Sequence, residues 1–159
     1  MKGEPAERLD PRAITLWRIT GALNMLPLLA GAGFAALALS RSGGFSRLFE
    51  LLPVLAVLVL ASVVVGVMPG LRWRRWRYEI RPDEVDLQRG IFWIGRTLVP
   101  LARIQHVDTR QGPLQRRFGL STVVLYTAAG PNQIPELSTP VAESARDRIA
   151  ELTREQDEL

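Results

Sequence analysis

At 159 residues and a net charge of +4, the chain has room for one domain of about 100 to 150 residues plus an attachment, and none for two full enzyme domains. The absence of cysteine removes disulfides, thiolate nucleophiles and thiolate metal sites together, and so small a basic excess does not by itself point to nucleic acid. A mean hydropathy of +0.08 alongside 23% charged residues requires the apolar residues to be concentrated somewhere.

Residues 1–18 form a charged leader carrying Lys2, Arg8, Arg12 and Arg18. The stretch Ile19 to Leu39, "ITGALNMLPLLAGAGFAALAL", then runs without a charge. A helix of about 20 apolar residues crosses a hydrocarbon core of about 30 Å, so residues 19–39 read as a first membrane span. Ala36 and Ala38 offer a signal-peptide cleavage pattern. Against it stand the long apolar core, the acids Glu4, Glu7 and Asp10 in the leader, and a second apolar run directly after. That run, residues 48–68, is uncharged from Leu51 to Met68 and reaches full length across Glu50. Residues 40–47, "SRSGGFSR", suffice only for an external turn, so the unit reads as a transmembrane hairpin. Pro27 and Pro53 are compatible with membrane helices, whose neighbours re-satisfy freed backbone groups. Gly21, Gly31, Gly33 and Ala35 in the first span and Ser62 and Gly66 in the second would let the backbones approach closely. The alternative is a pair of featureless lipid-facing helices.

Arginine and lysine counted over short flanks set orientation. The leader holds the four named above, the turn Arg41 and Arg47, and the segment after the second span Arg72, Arg74, Arg75 and Arg77. Both termini are therefore expected in the cytoplasm.

From Leu71 the pattern changes to short alternating runs. Trp76, Tyr78 and Ile80 share one face of a strand, with Arg75, Arg77 and Glu79 on the other. "RPDE", Arg81 to Glu84, turns the chain into a returning strand with Val85 and Leu87 inward. Trp93 to Leu101, Ile104 to Gln111, Ser121 to Thr127 and Gln133 to Leu137 complete six predicted strands, which suggest an antiparallel sandwich or partial barrel. The spacing of Ile104 and Val107 fits no regular half-buried strand and calls for a bulge. "GPLQRRFGL" predicts one helical turn starting at Pro113 and stopping at Gly119, pinned by Leu114 and Phe118, with Gln115, Arg116 and Arg117 facing out. A final helix starts with Thr139 as N-cap and Pro140 in its first turn, and buries Val141, Ala145, Ile149 and Leu152. "TREQDEL" after Leu152 is expected to fray. The fold class is α+β, with the soluble domain at residues 71–155.

His106 and Asp108 share a strand face and invite a catalytic or metal reading. No second histidine exists to complete a metal site, and Ser121 and Thr122 are ordinary strand residues, so no catalytic, cofactor-binding or metal residue is assigned. The cluster "LRWRRWRY" makes Arg72, Trp73, Arg74, Arg75 and Arg77 candidates for contact with the membrane surface, each arginine near an anionic leaflet being worth about 1 kcal/mol. Arg110, Gln115, Arg116 and Arg117 form a candidate partner surface. The basic residues are too dispersed for nucleic acid.

The stretch "RYEIRPDEVDLQRGIFWIGRTLVPLARIQHVDTRQGPLQRRFGLSTVVLYTAAG", with "IPELS" and a terminal helix, resembles the YdbS-like bacterial PH-domain family, formerly a domain of unknown function. The likeness runs from about Arg77 to Leu152, and "RIQHVDTRQGPLQRRFGL" is its most specific part. It implies a pleckstrin-homology-like fold of two nearly orthogonal antiparallel sheets closed by a C-terminal helix, and no catalytic residues. The basic loop of phosphoinositide-binding PH domains is replaced by the short, acidic "RPDE", where only Arg81 remains. The resemblance implies a membrane-tethered binding or assembly module of the bacterial cytoplasmic membrane, of a kind discussed with envelope stress and antimicrobial resistance. The resemblance implies a tandem-PH membrane protein as partner and weakens a lipid role; self-association is the other form of partner expected here, and an anionic-lipid headgroup sensor using Arg72, Arg74, Arg75 and Arg77 is the alternative.

Overall fold

The computed structural model describes residues 4–44 and 46–157; Lys2 and Phe45, which the sequence reading placed in the leader and the turn, lie outside the described residues. The chain forms two compact units. One is Trp17–Gly70, and the other joins the segment up to Leu16 with everything from Leu71 onward.

The first of these is helical. Helix α1 spans Arg12–Ser42; α2 spans Arg47–Ala61 and continues through a widened π turn, Ser62–Val67, into α3, Met68–Arg75. Among the described residues, two helices are thus long and apolar enough to cross a membrane, Arg12–Ser42 and Arg47–Arg75. Both overrun the predicted spans. At one end the reason is a cap: the Asp10 carboxylate accepts the Arg12 backbone N–H at 2.9 Å, with Pro11 supplying the pre-set φ of a first turn. Pro27 and Pro53 lie inside helices without ending them. The π turn was not foreseen. It begins where the Ser62 hydroxyl donates to the Val59 carbonyl at 2.7 Å, a back-bond that competes with the regular ladder. Of the glycines expected to bring the spans together, Gly21 meets its neighbour, with Val65 Cγ2 about 3.5 Å from where a Cβ would stand. Gly31, Gly33 and Gly66 face open space, and the buried small residue is Ala32 instead.

The second unit holds two antiparallel sheets. The order in one is β1 (Glu7–Arg8), β2 (Arg77–Ile80), β3 (Glu84–Arg89), β4 (Gly95–Pro100); in the other it is β5 (Ile104–Arg110), β6 (Leu120–Thr127), β7 (Gly130–Ser138). A short 3-10 turn, Leu101–Arg103, joins the sheets. Helix α4 is Pro113–Phe118 and α5 is Thr139–Asp157. The expected alternation runs from Trp76 into β2, with Trp76, Tyr78 and Ile80 buried. In the central strand β6, Val123, Val124 and Leu125 are buried in succession, as happens when both faces of a strand are covered.

Several expectations are corrected. The six strands become seven, because the leader supplies β1: Glu7 pairs with Tyr78 and Arg8 with Arg77. Short, charged and two residues long, β1 has no periodicity to detect. Strand β4 starts at Gly95 rather than Trp93, since Gly90 turns the chain at φ +130° and leaves Phe92, Trp93 and Ile94 exposed. The α5 stripe is Ala142, Ala145 and Ile149, with Val141 turned outward, and the helix persists to Asp157 instead of fraying after Leu152. The bulge required by Ile104 and Val107 is present, the register slipping between Ile104 and His106.

Candidate functional surfaces

The segment "RIQHVDTRQGPLQRRFGL" is a structural joint. Gly112 precedes α4, and Gln115 Oε1 accepts the Gly112 N–H at 2.9 Å. Gly119 ends the helix in the left-handed region, φ 63°, where glycine avoids a Cβ penalty. Its carbonyl accepts the Thr139 N–H at 3.0 Å, so the stop of α4 meets the start of α5. The Thr139 hydroxyl is shared with Ser121 Oγ at 3.1 Å and with Gln111 Nε2 at 3.2 Å.

The leader is laced onto the same joint. Arg12 donates from Nε and Nη2 to the two Asp10 oxygens, each at 2.9 Å, and from Nη1 to the Phe118 carbonyl at 2.8 Å. Those guanidinium bonds hold the Asp10 carboxyl below its ordinary range. The Asp10 N–H meets the Glu136 carbonyl at 3.1 Å. Glu136 is buried at φ 52°, where β7 bulges opposite Ser121–Val123, and its side chain accepts from Gln115 Nε2 at 3.1 Å.

This arrangement places the candidate partner residues differently from expectation. Arg116 and Arg117 are exposed on α4. Gln115 is turned inward, bonded to Thr122 Oγ1 at 2.9 Å as well as to Glu136, because an amide can serve donor and acceptor sites that α4 and the β7 bulge leave in its reach. Leu114 is 36% exposed and Phe118 and Val107 are only half-buried, so the helix is held by the Gln115 network more than by an apolar pin. Arg110 donates to the Tyr126 hydroxyl and lies 5.5 Å from that ring's centroid. His106 stacks on the same ring at 4.2 Å.

His106 Nε2 and Asp108 Oδ2 are 3.8 Å apart, with both side chains more than half exposed. The two hydroxyls weighed as nucleophiles are engaged elsewhere: Ser121 is bonded to Thr139 and Thr122 to Gln115. Among the described residues, no three His, Asp or Glu side chains cluster as metal ligands.

Of the membrane-surface candidates, Arg74 and Arg75 are exposed near the end of α3, and so is Arg72, whose carbonyl accepts the Trp76 N–H at 3.0 Å. Trp73 donates its indole N–H to the Leu9 carbonyl at 2.9 Å and lies under the Arg8 guanidinium at 5.6 Å, so it is engaged with the leader. Arg77 belongs to β2 and lies 3.8 Å from Glu4.

Sequence reasoning missed a charged cluster on the outer face of the first sheet. Asp86 is fully buried and accepts from Arg96 Nε at 2.9 Å and Nη2 at 2.5 Å, with Arg81 Nη2 at 3.5 Å. Arg81 also meets Glu79 at 2.6 Å and Glu84 at 3.3 Å. Hydrogen bonding to Asp86 raises Arg96, and bonding to Glu79 raises Arg81. The signal was present in the alternation itself: Asp86 lies on the face opposite Val85 and Leu87, in register with Glu79 of β2 and within reach of Arg96 of β4 and of Arg81 just beyond β2.

Comparison with known proteins places this architecture. A family model described as bacterial PH domain matches residues 27–153, a range that takes in the second apolar helix and strands β2 to β7. The UPF0699 transmembrane protein YdbS of Bacillus subtilis (strain 168) is 37% identical over 161 residues, 99% of each chain. The UPF0699 transmembrane protein YdbT of the same organism is 29% identical over 94 residues, 59% of this chain and 18% of that protein. No solved structure matches significantly.

Proposed function

The chain belongs to the bacterial PH-domain family, and on that footing we propose that it is a membrane-anchored, non-enzymatic binding or assembly module whose sheet domain lies on the cytosolic face of a bacterial cytoplasmic membrane. The carrying observation is the pairing of β1 with β2. Residues on either side of the two apolar helices belong to one sheet, which suits two spans that leave and return on the same side. The arginine excess of the flanks over the turn supports the cytosol as that side.

The module's work is association with another protein. Arg110, Arg116 and Arg117 are exposed and supply donors suited to a polar partner surface. Partial likeness to a longer transmembrane protein favours a partner built from the same module, with self-association as the other form. A role in envelope stress or antimicrobial resistance belongs to this reading as its physiological setting. Crosslinking in native membranes followed by capture of the tagged full chain tests it. A discrete crosslinked species, lost in Arg116→Glu/Arg117→Glu, is expected; a chain recovered only as monomer with lipid overturns it.

A second reading, an anionic-lipid headgroup sensor, is favoured by the exposure of Arg74 and Arg75 beside the second apolar helix. It requires association of soluble headgroup with reconstituted protein that weakens with salt.

A further inference from the structure

Among the described residues of the sheet-bearing unit, two large apolar side chains are far more exposed than the rest: Phe92 at 77% and Trp93 at 86%. They sit together on the β3–β4 connection, with Ile94 at 48% beside them. Their rings touch edge to face, centroids 6.4 Å apart. Isolated exposed apolar residues need no explanation, but an adjacent aromatic pair on one short loop does.

The loop is built to hold them there. Gly90 has φ +130°, and a Cβ on it would stand 1.8 Å from the Trp93 carbonyl oxygen. The backbone therefore folds back on itself at a place only glycine permits. The chain enters β4 at Gly95, opposite Arg89, so the hairpin closes immediately below the aromatic tip.

Topology says where the tip points. Strands β1 and β2 are antiparallel neighbours, so the chain leaves β1 for the two apolar helices and re-enters β2 at one end of the sheet. In an antiparallel meander the β3–β4 connection lies at that same end, whereas the β2–β3 turn at Arg81–Asp83 lies at the other. The register agrees: Arg8, Arg77, Gln88 and Arg96 form one row across the four strands, and the Phe92–Trp93 loop begins one row beyond it. Three of those four side chains are arginine. Aromatic rings ahead of a band of arginines match a bilayer boundary, where tryptophan sits at headgroup level and arginine meets phosphate.

We propose that the β3–β4 loop is a third membrane contact, inserting Phe92 and Trp93 into the lipid headgroup and outer acyl region of the bilayer that the two apolar helices cross, to a depth of about 5–10 Å. The inference rests on the membrane-anchored reading and goes beyond it. The anchor alone sets which side the domain is on, whereas the loop fixes which end of the sheet faces lipid and so which surfaces remain open to a partner.

The absence of cysteine from the chain makes the test direct. Single variants Phe92→Cys, Asp83→Cys and Leu55→Cys of the full chain, labelled with an environment-sensitive fluorophore and reconstituted in nanodiscs, are exposed to aqueous iodide and to spin-labelled lipid. Asp83 reports the opposite end of the sheet and Leu55 the second apolar helix. The label at 92 is expected to emit to the blue of that at 83, to be quenched several-fold more by headgroup-proximal spin label, and to be shielded from iodide. Iodide quenching at 92 equal to that at 83 overturns the proposal. Shielding at 92 without lipid quenching also overturns it and identifies the loop as a protein contact. Lipid quenching at 55 without quenching at 92 removes the wedge alone, while loss of both removes the anchor reading too. Trp93→Cys, read in the same way, decides the matter if Phe92→Cys does not fold.

Discussion

Arg12 donates from Nη1 to the carbonyl of Phe118 at 2.8 Å across 106 residues of sequence, joining the leader to the end of α4. The same guanidinium holds both oxygens of Asp10. One side chain thus caps a short helix at its negative end and braces the acid that opens a long one.

Asp10→Ala removes the cap of α1 and the brace of Arg12, at a cost of about 1 kcal/mol for the cap alone. The acid also predicts a pH dependence. Its folded value is depressed below the ordinary 3.8, so its contribution is fully present above the unfolded value and is lost as pH falls through the folded one. Limited proteolysis of the reconstituted protein from about pH 5 down to about pH 3 should show wild type losing protection more steeply than Asp10→Asn. Parallel curves would show that this acid does not couple folding to pH.

Asp86 and Arg96 are an unequal pair. Arg96→Met strands a fully buried carboxylate with Arg81 at 3.5 Å, and a buried charge left without its closest partner is strongly destabilising. Asp86→Asn keeps an acceptor for a guanidinium that reaches solvent, so the loss is smaller. Thermal unfolding of both variants and the double variant gives the order and the coupling. Equal losses would mean that burial of the acid does not control the site.

Gln115→Leu leaves the buried Glu136 without its Gln115 donor and should destabilise by about 1–3 kcal/mol. Arg116→Ala, one residue on and exposed, should stay within about 0.5 kcal/mol. Protease resistance of the sheet domain separates them. A neutral Gln115→Leu would place the hold of α4 elsewhere.

Two glycines should differ in kind. Gly119→Ala puts a Cβ in the left-handed region 3.4 Å from the movable Arg12 Nη1, costing about 1–2 kcal/mol. At Gly90 the obstacle is backbone, the Trp93 carbonyl at 1.8 Å. Gly90→Ala must therefore rearrange the loop, and Trp93 fluorescence in reconstituted protein should change there and not in Gly119→Ala.

The elements legible in the sequence were those with a period or a punctuation mark. The two apolar helices declared themselves by run length, β2 by the alternation of Trp76, Tyr78 and Ile80, and α4 by Pro113 and Gly119. What escaped was set by partners distant in sequence. Strand β1 is too short to carry a pattern and exists because β2 offers an edge. Gln115 looks like an outward residue on a helical wheel until Thr122 and Glu136 approach it. Val141 and Ala142 exchanged roles because a one-residue shift in a helix turns its face by about 100°. The Phe92–Trp93 pair read as the start of a strand because aromatics favour strands, and the backbone demand of Gly90 was invisible without the fold-back.

Strand β1 has a consequence for how the protein is made. The ribosome releases Glu7 and Arg8 long before Tyr78, and between them lie both apolar helices. If the two helices cross the membrane as proposed, the edge of the first sheet closes only after the second has returned to the starting side. Insertion shortens the search, because it brings the flanks together before the loop-closure entropy of the intervening chain must be met. On that reading, a molecule with one helix inserted leaves the β2 edge without β1. On the membrane-anchored reading, completion of the sheet would report that both helices have been inserted.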